Sequence, residues 1–287
     1  MRKYATSIII PVFEQWGLVP DLVEAIAQQS MPPGEVLFVD NGSAHVTVPD
    51  NIPFKHRVLS CATPGSYAAR NHGVQNASGE ILVFTDADCV PEPGWLAALL
   101  AALGEADDRI VAGHVAVAAR SSQPNAYEIY DMMFGIAQKR YVARGYAATA
   151  NLAASRQLFD ALGGFDARRK SGGDADFCRR ARAMGASLIF APDAVVRHPA
   201  RSTWHELQMK TRRMKGGQLR HQKTVLGLAE AVLKTIARPA LDVVRVVSAD
   251  GWSLSYRAIS LAVGVRLWGV ELHEMCRLLL GSPEERR

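Results

Sequence analysis

Apolar positions along the chain fall into short continuous runs, separated by stretches whose apolar residues recur at helical spacing. Residues 7–13, 35–40 and 81–85 read as strands, and 18–29 and 66–77 between them as helices, the first closed by Pro32-Pro33-Gly34. Further strands are expected at 110–118 and 148–153, and a longer helix at 126–141. Residues 155–162 form a short helix stopped by Gly163-Gly164, and 174–184 another stopped by Gly185. The runs 187–191 and 194–196 end this region. Alternating strand and helix signals predict an α/β fold with a mostly parallel sheet flanked by helices.

After Arg197 the strand signals give way to helical ones. The expected division is a catalytic α/β domain over residues 1–200 and a helical extension over 201–287. Between Gly251 and Gly281, Leu254, Ala258, Leu261, Val265, Trp268, Leu272, Met275 and Leu279 alternate spacings of four and three, which predicts one apolar helix stripe. Before it, Lys223, Lys234 and Arg238 fall near one face of another helix, which Pro239 is expected to end or kink.

Composition narrows the picture. The 287 residues are 48% apolar, enough for a folded globular protein. No run approaches the roughly 18 apolar residues of a membrane-spanning helix. Met1-Arg2-Lys3-Tyr4 leads straight into a strand without a signal-peptide pattern. The four cysteines (Cys61, Cys89, Cys178, Cys276) show no zinc spacing, so they read as reduced thiols of a cytoplasmic protein. The net charge of +5 is uneven, because residues 197–245 hold eleven Lys/Arg against three acids. Such a basic tail suits an anionic membrane surface, with docking on the catalytic domain or homodimer formation as alternatives. Nucleic acid is not expected, since no stacking aromatics interleave the cations.

Three acidic sites carry candidate chemistry, each ending an apolar strand or opening a helix. Asp40, in Val39-Asp40-Asn41-Gly42-Ser43, either accepts a hydrogen bond from a nucleobase or makes a turn. Asp86 and Asp88 follow the run Ile81-Leu82-Val83-Phe84-Thr85 and, in an extended chain, share one side. Two such carboxylates call for a hard cation, Mn²⁺ or Mg²⁺, which can also bridge a diphosphate. Asp174, in Gly172-Gly173-Asp174-Ala175-Asp176, is either a general base or a helix N-cap. Arg70 suits a phosphate or base, and His198 is either a further metal ligand or structural. Arg168, Arg169 and Lys170 either hold acceptor phosphates or form a solvated loop.

In this order and spacing the motifs resemble the family 2 glycosyltransferases of the GT-A fold. The resemblance spans roughly residues 5–200 and rests on Ser7-Ile8-Ile9-Ile10-Pro11-Val12, Phe38-Val39-Asp40-Asn41-Gly42-Ser43 and Ala69-Arg70-Asn71-His72-Gly73. It continues through Ala77-Ser78-Gly79-Glu80, Thr85-Asp86-Ala87-Asp88, Ala148-Thr149-Ala150-Asn151-Leu152 and Gly163-Gly164-Phe165-Asp166, ending with Gly173-Asp174-Ala175-Asp176-Phe177. It implies that Pro11 and Asp40 hold the nucleotide base, with Arg70 nearby. Asp86-Ala87-Asp88 would form the family's DxD site for metal and diphosphate. Asn151 would lie by the donor sugar or acceptor, and Asp174 would be the base of an inverting transfer.

The resemblance also implies a UDP-, GDP- or dTDP-sugar donor and a glycan or lipid-linked acceptor, in cell-surface glycan or glycolipid synthesis. Two departures stand out. Gly173 replaces the Glu that often precedes the catalytic Asp, and Arg212-Arg213-Met214-Lys215 lacks the Trp of processive members, which favours single addition. The rival enzyme class is a haloacid dehalogenase-type phosphatase, which also places Asp-x-Asp after an apolar strand.

Overall fold

The structure is a computed structural model that describes residues 5–220 and 224–282. Met1–Tyr4 and Lys223, which entered the sequence reading, lie outside the described residues. The chain divides into two compact units, one of Met1–Ala116, Ile136–Arg169 and Gly173–His198, the other of Val117–Gly135, Lys170–Gly172 and Pro199–Arg287. The second unit thus joins Pro199–Arg287 to two segments from within the first two hundred residues, Val117–Gly135 and Lys170–Gly172.

Strands β1 (Thr6–Val12), β2 (Glu35–Asp40), β3 (His56–Ser60) and β4 (Ile81–Thr85) run parallel in the order β3-β2-β1-β4. Every residue of β2 and β4 is buried, as expected of parallel strands covered on both faces. Past β4 the sheet continues through β7 (Asn151–Ser155), β6 (Arg109–Ala118), β8 (Ser187–Pro199) and the short β5 (Val90–Pro91), with β7 antiparallel to β4. The chain winds from β1 out to β3 on one side and returns to β4 on the other. The carboxyl ends of β1 and β4 thus flank a topological switch point, where such sheets bind ligands.

Helices α1 (Val19–Ala27), α2 (Ser66–Asn76), α3 (Trp95–Leu103), α5 (Gln138–Ala143), α6 (Arg156–Ala161) and α7 (Gly173–Ala183) complete the first unit, while α4 (Ala126–Phe134) belongs to the second. An aromatic cluster lies beneath α2 and α7: Phe165 packs 4.9 Å from Phe177, 5.2 Å from Phe84 and 5.7 Å from Tyr67 by ring centroid. Asn71 fixes the backbone of Phe165, donating to its carbonyl at 2.7 Å and accepting from its amide at 3.0 Å.

Several expectations are corrected here. The long helix at 126–141 is two helices, interrupted at Gly135. Residues 187–196 form a single strand despite Pro192, and the strand expected at 148–153 begins only at Asn151. The sequence reading missed β3, half exposed at the sheet edge, as well as β5 and α3.

The second unit packs α4, α8 (Trp204–Arg220), α9 (Val225–Val247) and α10 (Leu254–Leu279) around ion pairs as much as around apolar side chains. Buried Asp131 meets Arg201 at 3.0 Å and Lys210 at 2.8 Å. Lys215 meets Glu271 at 2.7 Å, and Arg238 joins Glu271, Asp242 and the Tyr130 hydroxyl. These pairs decide which face of α10 is inside. Ser260, Val263, Gly264, Leu267, Glu271 and Glu274 are buried there, whereas Leu254 and Val265 of the expected stripe are exposed. Nor does Pro239 end a helix, because α9 runs through it. The carbonyl of Thr235, four residues earlier and denied an amide partner by the proline, instead accepts from the Trp268 indole at 2.8 Å.

Candidate active site

At the ends of β1 and β2, Pro11 pairs with Val39 and Val12 with Asp40. Asp40 is buried, its Oδ1 accepting from the Trp16 indole at 2.9 Å and its Oδ2 from the amides of Gly42 at 3.1 Å and Ser43 at 3.3 Å. Burial works against its ionisation, but hydrogen bonds from the Ser43 side chain, the indole and the two amides hold the carboxyl below its ordinary value. Asp40 is therefore the acceptor of a tight turn, a role the sequence reading set beside nucleobase binding. Asn41 extends the turn, donating to the carbonyls of Cys61 and Thr63 and accepting from the Gly65 amide that leads into α2.

Beyond β4 the chain does not stay extended. It turns at Ala87 and Asp88, with the Cys89 amide donating to the Asp86 carbonyl at 3.1 Å. This corrects the expectation that an extended chain sets Asp86 and Asp88 on one side, and the two carboxylates meet different partners. Asp86 Oδ1 is paired with buried Arg70, while Asp88 Oδ2 lies 3.3 Å from Gln15 Nε2 and 3.6 Å from His198 Nε2. Ala87 between them is buried.

Asp88 Oδ1 is buried and has no hydrogen-bond partner. An ionised oxygen left so is costly unless a cation meets it. Among the described residues no group of three or more His, Cys, Asp or Glu side chains is gathered for a metal. The Asp88 carboxylate and the His198 imidazole bring an oxygen and a nitrogen within 3.6 Å of each other, beside the Asp86 carboxylate that pairs with Arg70. Mixed oxygen and nitrogen donors fit Mn²⁺ well, with the remaining positions left to phosphate oxygens and water.

Asp174 sits in the first turn of α7, not at its N-cap, since the helix begins at Gly173. Its Oδ1 accepts from the Tyr67 hydroxyl at 3.1 Å and from the Ala175 amide at 2.8 Å. Burial is the largest influence on this carboxyl and raises its proton affinity; the Ala175 amide, the Arg70 charge and the Tyr67 hydroxyl offset part of that rise. Tyr67 and Arg70 lie three residues apart on one face of α2, and the guanidinium rests 5.8 Å from the tyrosine ring centre. Arg70 therefore links Asp86 to the surroundings of Asp174.

Asp176 has different company. It meets Arg169 at 2.9 Å and Arg180 at 2.8 Å, and Arg180 also donates to the carbonyls of Leu162 and Gly164. That is a brace for the loop before α7. Arg168 pairs with Asp166.

Asn151 departs furthest from its expected place beside sugar or acceptor. It is fully buried, accepting from the Trp95 indole at 2.8 Å and donating to the carbonyls of His114 and Ala194, each at 2.8 Å. A Cβ at Gly113 would stand 2.3 Å from its amide nitrogen. Its side chain is spent on joining strands, so any influence on a ligand is indirect. The sequence reading also missed Tyr67, Gln15 and Trp95. Only Tyr67 carried a signal, standing one turn before Arg70.

Comparison with known proteins gives a consistent picture. The profile of Glycosyl transferase family 2 matches residues 7–171. The chain is 34% identical to Glycosyltransferase AglE of Haloferax volcanii over 228 residues, 74% of this chain and 72% of that protein. It is 28% identical to the Pre-mycofactocin glycosyltransferase of Mycobacterium tuberculosis over 58% of this chain and 38% of that protein. Among solved structures, the mannosyltransferase PcManGT from Pyrobaculum calidifontis, in complex with GDP-Man and Mn²⁺, superposes with a TM-score of 0.59. It is 20% identical, over 98% of this chain and 87% of that one. GalNAc-T7 with UDP, GalNAc and Mn²⁺ superposes with a TM-score of 0.53, 16% identical over 99% of this chain and 59% of that one. The phosphatase alternative finds no support in these matches.

Proposed function

The chain belongs to the family 2 glycosyltransferases and has their GT-A fold, and from that premise we propose that it transfers one sugar, with inversion, from a nucleoside-diphosphate donor to an acceptor hydroxyl. The observation that carries this reading is the arrangement on either side of Arg70. Asp86 and the half-satisfied Asp88 lie toward one end of it, and Asp174, with raised proton affinity, toward the other.

In this scheme Pro11, the Asp40 turn and Arg70 hold the base and the inner part of the donor, and Asp86 and Ala87 border the diphosphate. Asp88 and His198 hold a divalent cation, Mn²⁺ or Mg²⁺, which would offset the charge gathering on the departing diphosphate. Solved structures of similar fold carry Mn²⁺ with GDP-Man or UDP, which favours such a cation and a UDP- or GDP-sugar, with a dTDP-sugar as the third donor to be tested. Asp174 takes the proton from the attacking hydroxyl, a contribution of about 10²–10⁴-fold in rate.

The acceptor is a glycan or a lipid-linked glycan on the cytoplasmic face of a membrane. Among the described residues no helix is long and apolar enough to cross a membrane. What favours a membrane surface is α9, which buries Ala231, Thr235, Asp242 and Val246 while exposing Leu226, Leu233, Ile236, Val244 and Val247. An apolar face turned outward fits the upper acyl layer of an anionic bilayer.

A panel of nucleotide sugars tests the reading. One member is expected to be hydrolysed slowly in a Mn²⁺- or Mg²⁺-dependent way and to raise the melting temperature only with metal present. Equal, metal-independent effects across UDP-, GDP- and dTDP-sugars would contradict it.

A further inference from the structure

Gly173 opens α7 with an ordinary φ, so its backbone does not require a glycine. The space around it does. A Cβ at this position would stand 2.7 Å from Tyr67 Cε2, 2.8 Å from Cδ2 and 2.9 Å from Cζ. Carbon atoms in good contact lie about 3.5–4.0 Å apart, so the ring occupies the volume a side chain would need. Phe165, with its ring centre 5.7 Å away, and the Arg70 guanidinium at 5.8 Å also pack against this ring.

We propose that Tyr67 is the positioning residue of the catalytic carboxylate, and that residue 173 is a glycine so that the tyrosine ring can lie against the start of α7. The ring on Gly173 fixes where the hydroxyl stands. The hydroxyl and the Ala175 amide then fix the rotamer of Asp174 through one oxygen, Oδ1.

The arrangement answers a conflict inherent in a partly buried, desolvated base. Desolvation makes Asp174 a stronger base, yet a carboxyl that stays protonated accepts nothing. A hydrogen bond to the ionised form keeps it available without returning it to water. Arg70 packs on the same ring and pairs with Asp86, so displacing Tyr67 disturbs both halves of the site.

This inference rests on Asp174 being the base. Its test follows the ¹³C shift of the Asp174 carboxyl carbon against pH in the full-length protein and in Tyr67→Phe, Gly173→Ala and the double variant. Tyr67→Phe keeps the ring and is expected to raise the midpoint by about one pH unit, a tenfold change in the acid constant. Gly173→Ala pushes the ring away and should do the same with the hydroxyl intact, while the double variant shifts no further than Tyr67→Phe. A purely structural tyrosine would lower Tm without moving the midpoint. A native midpoint in Tyr67→Phe, or additive shifts in the double variant, would overturn the inference and leave the base assignment standing. Undiminished turnover in Asp174→Asn would remove the base assignment and this inference with it.

Discussion

His198 Nε2 stands 3.6 Å from Asp88 Oδ2, bringing the end of β8 onto the turn that follows β4. The other oxygen of Asp88 is buried without a partner, and in the proposed scheme the two residues hold a divalent cation. Asp88→Ala is expected to abolish the Mn²⁺-dependent tightening of nucleoside diphosphate binding measured by calorimetry. His198→Ala should weaken it less, and more with Mn²⁺ than with Mg²⁺, because imidazole suits the softer ion. Equal tightening in all three proteins would place the metal elsewhere.

The placement of these acidic residues in the fold was legible in the sequence, because Asp40 and Asp86 close apolar runs that are strands and Asp174 opens a helix. Partnership was not legible. The spacing of Asp86 and Asp88 suggested a shared side, but the turn at Ala87 sends one to Arg70 and the other to His198. Asn151 shows the same limit, since a motif residue can serve a site by holding strands together. In the second unit the phase of α10 was misread because buried Glu271 and Glu274, bound to basic residues, count as polar in any periodicity argument.

Glu35 ties the start of β2 to β1 and to the loop before β4. It is buried at the start of β2 and accepts from the Ser7 hydroxyl at 2.7 Å, the Ser78 hydroxyl at 2.8 Å and the Ser78 amide at 2.5 Å. Burial opposes its charge, yet these bonds and Lys55 bring the pKa from 4.5 down to about 2. A depressed carboxyl contributes stability above its unfolded pKa and loses it as pH falls through the folded value. That contribution is roughly 3 kcal/mol at neutral pH. Glu35→Gln should lower the denaturation midpoint at pH 7 and flatten the loss of stability between pH 4.5 and 2.

The brace at Asp176 predicts a stability effect. Asp176→Asn weakens the pairs to Arg169 and Arg180, which are partly exposed, and should cost about 1 kcal/mol with a lower Tm. Turnover at 25 °C should stay within about threefold of native. A collapse of turnover with unchanged Tm would make Asp176 the chemical carboxylate.

The outward face of α9 is tested on the full chain. Leu233→Asp, Ile236→Asp and Val244→Asp change exposed side chains and should leave Tm nearly unchanged. Flotation with anionic vesicles at low salt is expected for the native protein and lost in the triple variant. If the native protein does not float and instead sediments as a dimer that the triple variant breaks, a second copy covers this face and the membrane proposal falls.

The most direct test of the account is the comparison of turnover with donor binding in Asp174→Asn. The substitution keeps shape and removes the base, while the groups assigned to the diphosphate and its cation, Asp86, Asp88 and His198, are untouched. An interaction used mainly in the transition state should appear in kcat and not in binding. The account predicts a fall in turnover of at least about 10²-fold with metal-dependent donor affinity within about twofold of native. Near-native turnover, or a loss of donor affinity as large as the loss of turnover, would contradict it.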